Sequence, residues 1–474
     1  MGERRLVGID LGIASAHTVR VLDENGATIA KRKAVPTVAS LTAVEEVALA
    51  GCGPGVRLEV VMEPTGPAWL PVAVFFARRG HAVYRVSSAK ASDLRKFLSR
   101  HTKTNGIDAD TLARLPLFAP DGMVEVWLPN AAEAALDRRV RATDRLTRDA
   151  ADRKVRIKDL VRQLFPMTPL TAELGHADVE VLARWADPNV LVKVDAARVT
   201  KVIAGVSRGQ QGEARAREWI DAARAAIELY AGHHAVAFED LAAEVATEVR
   251  LLQATQRELA AHAEERERAY RWVDPLELAR SLPGLAEIGG PAVVAIMGDA
   301  DRFPTAKAFR AFTGLTPRVS ETGDTNRPGQ PMSKAGSGLL RTTFIRAADH
   351  ARRQDPQLAR IYYVQMVERG KNHIGAICVV AAALAERTWA VRRRGMPYVV
   401  CDTDGRAVDP AEAKAIIAEH FTVPTVVRAR RRSKKVPTSA LMGKAPQTSH
   451  TGSSRSTCET RTHGATFPGR HRSR

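Results

Sequence analysis

The sequence predicts a chain of three parts, a mixed α/β unit, a long helical middle with coiled-coil character and a mainly α unit. Three observations carry that expectation. Residues 4–86 alternate short apolar strands with turns, as a sheet does. From about Ala132 to Trp272 the composition shifts to Ala, Arg, Glu and Leu with apolar residues three and four apart, the period of a helix. Beyond Trp272, glycine and proline again punctuate short apolar segments, which marks a compact third unit. The 474 residues are enough for several cores. The boundaries fall at 1–130, 131–274 and 275–400, with a short extension over 401–427 and a tail over 428–474.

In the first unit "RRLVGIDLG" runs an apolar strand into Asp10, and "HTVRVLD" and "ENG" supply a second strand and a hairpin turn. "RLEVVMEPTG" ends a further strand at Glu63, "AWLPVAVFFARRG" is a helix, and "HAVYRVS" a strand. A hairpin followed by βαβ units predicts a mixed sheet covered by helices. A third carboxylate, Asp108, opens a helix in "RHTKTNGIDADTLARL". Two strand-end acids and one helix-borne acid converge at one edge of an RNase H-like sheet. Hard divalent cations take carboxylate oxygens, and a metal pair stabilises both oxygens of an in-line phosphodiester displacement. Taken singly, each acid reads as well as a solvated turn former. A sugar-kinase or actin-like ATPase also opens with "GIDLG", a strand and "DENG", but that fold repeats its hairpin, and only "VVCDTDGRAVDP" faintly suggests a repeat.

The middle segment "EDLAAEVATEVRLLQATQRELAAHAEERERAYRW" suits a helical hairpin or coiled coil that spaces the flanking units. "WVDP" marks the next boundary. "SLPGLAEIGGPAVVAIMGD" reads as helix, tight Pro-Gly turn, helix, of the helix-hairpin-helix kind, whose backbone N–H groups near Gly284 could hold a phosphate without reading sequence. A Gly/Pro/Ser-rich loop from Gly314 to Gly338 leads into helices that end near Gly395. Lys307, Arg310, Arg318, Arg327, Lys334 and Arg341 surround that loop and could grip a nucleic-acid backbone, although isolated basic residues serve solubility equally well.

The chain carries a formal charge of +18. Between Arg428 and Arg474 stand twelve Lys/Arg and one acidic residue, so +11 of that charge is a tail. Rich in Ser, Thr, Gly and Pro and without a hydrophobic period, the tail is expected to be disordered and to attract polyanions. Cys52, Cys378, Cys401 and Cys458 have neither C-x-x-C spacing nor a histidine at metal spacing, which argues against disulfides and structural zinc. No apolar run approaches the length of a membrane span and no leader pattern is seen, so a soluble, cytoplasmic protein is expected.

At "KTNGIDADTLA" the sequence resembles the DEDD-type insertion-sequence transposases with a RuvC-like N-terminal domain. That family carries an Asp on its first strand, a Glu in an E-x-T/S-G turn and a K-T-D-x-x-D-A segment, matched here by Asp10, "MEPTG" at Glu63 and "KTNGIDA" from Lys103. "SLPGLAEIGG…FTGLTPRVSETG…MSKAGSGLLR" resembles the family's C-terminal transposase domain. The likeness covers roughly residues 4–130 and 275–395, and the helical middle is longer than the family suggests. Two positions depart from the pattern. Asn105 stands where the third acid is expected, with Asp110 a poor substitute at i+2 from Asp108. Thr322 replaces the serine directly before glycine, which leaves Ser320 as the expected nucleophile, with Ser333 and Thr322 as rivals.

The resemblance implies a composite site in which Asp10, Glu63, Asn105 and Asp108 hold Mg2+ or Mn2+ and Ser320 attacks DNA. Lys103, Gly284, Arg318, Lys334 and Arg341 are the expected nucleic-acid contacts. The resemblance also implies donor and target DNA, a structured guide RNA encoded beside the element, a dimer or tetramer, and a bacterial, nucleoid-associated setting. A RuvC-like structure-specific nuclease would need the acids without the serine. A non-enzymatic nucleic-acid scaffold would tolerate Asn105.

Overall fold

The computed structural model describes residues 3–98, 104–120, 123–170, 173–233, 236–318, 321–322, 325–326 and 330–432. Its first unit is a five-stranded sheet in the order β3-β2-β1-β4-β5, built from β1 (Arg5–Asp10), β2 (His17–Leu22), β3 (Thr28–Ala34), β4 (Leu58–Met62) and β5 (Ala82–Arg85). The β1–β2 and β2–β3 pairs are antiparallel, and β4 and β5 add in parallel. The Asp23–Ala27 turn closes the β2–β3 hairpin, with Gly26 at φ +83°, a region open to glycine without steric cost.

Side chains alternate across the strands, so each face has its own cover. Val7, Ile9, Val19, Val21, Val60 and Met62 pack with α1 (Val38–Leu49) and α2 (Trp69–Arg78). Leu6, Leu22 and Val61 pack on the other face beneath α3 (Ser88–Leu98) and α4 (Asn105–Phe118). At Gly8, α4 comes so close that an added Cβ would lie 1.9 Å from the Ala109 carbonyl oxygen. Thr104 caps α4 by accepting from the Ile107 N–H at 3.2 Å, which fixes where the helix begins.

The middle is more than a spacer. α5 (Ala131–Leu164) opens on a capping box between Asn130 and Glu133. It runs antiparallel to α10 (Phe238–Val273), as ion pairs Arg139–Glu265 at 3.1 Å and Arg153–Glu248 at 3.0 Å show. Between them α6 (His176–Trp185), α7 (Pro188–Leu191), α8 (Ala196–Val206) and α9 (Glu213–Leu229) form a head with its own core around Trp219 and Phe165. Buried Asp178 accepts from Trp219 Nε1 at 3.1 Å and pairs with Arg215 at 2.7 Å inside that head. The other end of the hairpin is rooted in the third unit, where Leu136, Val140 and Tyr270 join the core.

That third core is built by α11 (Gly289–Met297), α12 (Ala306–Thr313), α13 (Gly338–Ala351), α14 (Pro356–Tyr363) and α15 (His373–Arg394). Two short strands, β6 (Glu321–Thr322) and β7 (Thr325–Asn326), pair antiparallel on an arm. The arm's base is held by the Ser333 N–H to the Thr316 carbonyl at 2.8 Å and the Arg318 N–H to the Pro331 carbonyl at 2.9 Å. By length and composition α15 could cross a membrane, a length the sequence was not expected to hold. Its Ile377, Val380, Leu384 and Val391 instead fill the core.

One expectation is corrected here. Residues 275–288 form successive turns in place of the first helix of a helix-hairpin-helix, and only α11 is helical. The extension packs on the third unit: the Gln357 side chain donates to the Asp402 carbonyl at 2.9 Å, α16 (Pro410–His420) lies against α14, and Val423 is in the core. The expected tail begins inside α17 (Thr425–Arg432), and residues 433–474 lie outside the described residues. Cys52, Cys378 and Cys401 are free thiols, and Cys458 is outside the described residues.

Candidate active site and nucleic-acid interface

The strand register brings two of the predicted acids side by side. Ile9 of β1 pairs with Met62 of the parallel neighbour β4, so Asp10 and Glu63 follow in step at the C-terminal ends of adjacent strands. Gly8 and Val61, two residues before each acid, face α4. Alternation therefore carries Asp10 and Glu63 to that same face. Asp108 lies in the first turn of α4, one residue before the Ala109 that touches Gly8. All three are half-buried.

Asp108 is occupied by a cation from the protein itself: Arg95 Nε of α3 stands 3.3 Å from its Oδ1. Asp110 points elsewhere and pairs with Arg114 at 2.7 Å, in keeping with its i+2 position. Asn105 is exposed and lines a cavity of about 360 Å³ with Gly106, Thr18, Arg20, Lys31, Arg32 and Lys33. Asn105 therefore borders a basic face. Among the described residues no group of three or more His, Cys, Asp or Glu side chains is gathered as a metal cluster. The donor chemistry of Asp10, Glu63 and Asp108 nevertheless fits a hard divalent cation, since it is all carboxylate oxygen. Completing it requires Asp108 to exchange Arg95 for the ion.

Beyond Asp10 the chain turns back within a few residues. The Gly12 N–H donates to His17 Nδ1 at 3.1 Å, and burial pushes the His17 pKa down.

In the third unit the predicted contacts divide. Gly284 adopts φ +83° and lies against α13, where a Cβ would come 2.3 Å from the Ala347 carbonyl oxygen. This close packing accounts for the glycine without a phosphate. Arg310 pairs with Glu386 at 2.7 Å, and Arg341 donates to the Lys334 carbonyl at 3.2 Å, pinning the base of the arm. Lys307, Arg318 and Lys334 are exposed, Lys334 with φ +56°. Lys103, Ser320 and Arg327 lie outside the described residues, as does the side chain of Thr322. Ser333 is half-buried at the arm's base.

The first and third units meet at a residue that sequence reasoning passed over. Val126 N–H donates to the Val83 carbonyl at 2.7 Å, extending the β5 edge. The next residue, Trp127, seats its ring on Gly298, where a Cβ would lie 2.4 Å from the indole. Arg302 stacks over Trp127, Phe303 and Phe312 at 5.3, 4.9 and 5.2 Å from their ring centres.

Two sequence-family profiles match the chain. One, a transposase profile of the DEDD IS110 kind, covers residues 7–166. The other, described as "Transposase IS116/IS110/IS902 family", covers residues 276–363. "Insertion element IS116 uncharacterized 44.8 kDa protein" of Streptomyces clavuligerus is 24% identical over 82% of this chain and 95% of its own length. "Insertion element IS110 uncharacterized 43.6 kDa protein" of Streptomyces coelicolor is 28% identical over 25% of this chain and 29% of its own. "Probable family 20 transposase" of Pseudomonas aeruginosa is 34% identical over 23% of this chain and 31% of its own. The chain thus spans less than a third of the length of these last two relatives. With one profile on the acidic unit and the other on the arm-bearing unit, the chain belongs to the DEDD-type insertion-sequence transposases.

Proposed function

We propose that this chain is the recombinase of an insertion sequence and joins donor to target DNA by strand cleavage and exchange. The observation that carries the reading is the in-step placement of Asp10 and Glu63 on β1 and β4, with Asp108 in the turn of α4 beside Gly8. The strand order, a three-stranded antiparallel meander extended by two parallel strands, supports an RNase H-like, RuvC-like unit.

In this reading Asp10, Glu63 and Asp108 hold Mg2+ or Mn2+, with the carbonyl oxygen of Asn105 as an outer donor. When bound, such a cation neutralises charge on the attacked phosphate. Arg95 releases Asp108 and remains beside the site as a counter-charge for the phosphate. Ser320 is the nucleophile: its Oγ forms a bond to phosphorus, the bond to the departing strand's oxygen breaks, and that oxygen takes up a proton. The phosphodiester energy stays in the serine ester, which a hydroxyl of the partner strand reverses to rejoin DNA. A dimer or tetramer would let the acids of one subunit meet the serine of another. A guide RNA encoded beside the element, and action on the bacterial nucleoid in the cytoplasm, complete the reading. Copurification of one specific RNA tests the guide.

The decisive experiment is to trap the protein on a donor-target junction and map the linked residue by mass spectrometry. Linkage at Ser320 is expected. Linkage at Thr322 or Ser333 corrects the residue, while free ends without an adduct at any hydroxyl replace the recombinase with a RuvC-like nuclease.

A further inference from the structure

The α4 face of the sheet does not stop at the acids. The Asp10↔Thr18 and Thr18↔Lys33 pairs form one row across β1, β2 and β3, and Gly8↔Arg20 and Arg20↔Lys31 form the next. The acids thus continue directly into a basic strip that runs to the open edge strand β3. Asn105 and Gly106, at the start of α4, wall the strip on one side, and an added Cβ at Gly106 would meet Arg20 Nη2 at 2.5 Å.

Among the described residues, the charges on this strip have no acidic partner. Arg4, Arg5, Arg57, Arg79, Arg95 and Arg114 of the same unit each have an acidic partner within 4 Å. Among the described residues, Arg20, Lys31 and Lys33 have none: Arg20 reaches only the Val19 carbonyl, and Lys33 donates to Thr18 Oγ1 at 2.7 Å. Lys31 and Lys33 are exposed. A row of unpaired cations costs stability through mutual repulsion and offers binding energy only to a polyanion.

We infer that this strip seats the sugar-phosphate backbone of the DNA strand leaving the acidic site, in single-stranded form. Neighbouring strands stand about 4.8 Å apart and alternate residues about 6.7 Å apart, so the strip presents a cation every 5–7 Å or so along a path about two strands wide. That width suits one backbone; a duplex, whose grooves alone are about 6 and 12 Å across, would touch only the rim. The amide of Asn105 then has a reason: a carboxylate there would pair with the strip's cations and close it to phosphate. Assigning the strand rests on the recombinase reading, but the binding does not require strand exchange.

The test therefore separates the two. Binding of a fluorescein-labelled mixed-sequence single-stranded DNA is measured by anisotropy in EDTA across a salt series, with the full chain carrying Asp10→Ala so that no chemistry intervenes. Lys31→Gln with Lys33→Gln should weaken binding and lower the slope of log affinity against log salt by about 1.4, or about 0.7 per lost phosphate contact. Asn105→Asp, which removes no cation, should weaken binding as well. Unchanged affinity and slope in both variants overturns the inference, as does a loss confined to duplex DNA or to an RNA of the same sequence. Failure of Ser320 to form an adduct would leave this measurement untouched.

Discussion

Arg95 of α3 holds Asp108 of α4 at 3.3 Å, with both side chains about one-fifth exposed. The carboxylate proposed as the third of the site is thereby neutralised by a residue of its own unit. Such a partly exposed pair contributes little to folding, on the order of 0–1 kcal/mol. Arg95→Gln should therefore leave the unfolding midpoint nearly unchanged. It should tighten Mn2+ binding several-fold, because a competing cation is gone and the carboxylate is not. Titration of Mn2+ by paramagnetic resonance reads this directly, and weaker or unchanged Mn2+ affinity would place Asp108 outside the coordination set.

Gly8 lets α4 lie directly on the sheet. A Cβ there would meet the Ala109 carbonyl oxygen at 1.9 Å and the Ala113 nitrogen at 2.4 Å, and both are backbone atoms that no rotamer change can move. Gly8→Ala should cost about 3 kcal/mol or more in urea unfolding, at or beyond the upper end of ordinary overpacking. It should also abolish strand exchange by lifting α4 and Asp108 off the sheet. Trimming the neighbour with Ala113→Gly should not restore either property, since the clash is with backbone. Full rescue would show that α4 can shift freely.

The acids were legible because strand periodicity sets their position: an apolar run ending in Asp10 and another ending in Glu63 must place both at strand ends, and parallel pairing puts them in step. The basic strip was less legible. "AKRKA" reads as an ordinary solvated edge until its pairing with Arg20 and Thr18 is known, and that register is a tertiary fact. Arg95 carries no local signal at all, since its partner lies thirteen residues on across a helix boundary. The helix expected before Pro283 is replaced by turns from which Leu278, Ala279 and Leu282 enter the third core, with Asp274 accepting from Tyr270 Oη at 2.8 Å and from the Ala279 N–H at 3.0 Å to hold the turns. Propensity gave way to tertiary contact there.

Trp127 and Gly298 join the acidic unit to the third core. Trp127→Ala should cost about 2 kcal/mol, below the roughly 3–5 kcal/mol of a fully buried tryptophan because the ring is half-buried. It should also take away one of the three rings that carry Arg302. Calorimetry is expected to show the single main transition splitting as the acidic unit melts independently. Trp127→Phe should keep one transition. Splitting in neither variant would mean that the rooted base of α5 couples the units without the indole.

The turn that follows Asp10 depends on a neutral imidazole. His17 is 2% exposed, and burial lowers its pKa because the charged ring loses its water. The Gly12 N–H points at Nδ1 at 3.1 Å, and only an unprotonated nitrogen can accept it. The unfolded chain takes up this proton near the ordinary histidine value of about 6.5, whereas the folded chain does so only at lower pH. Unfolding is therefore favoured as pH falls through about 6.5. Stability contributed by His17 is fully present above that value and declines below it by up to about 1.4 kcal/mol per pH unit until the folded ring titrates. His17→Gln keeps an acceptor without the titration. The difference between wild type and variant in urea unfolding should be flat from pH 8 to about 7 and then move in the variant's favour toward pH 5.5. The twelve other histidines cancel in that difference, so a constant offset across the range would show that the ring near Asp10 is not the titrating group.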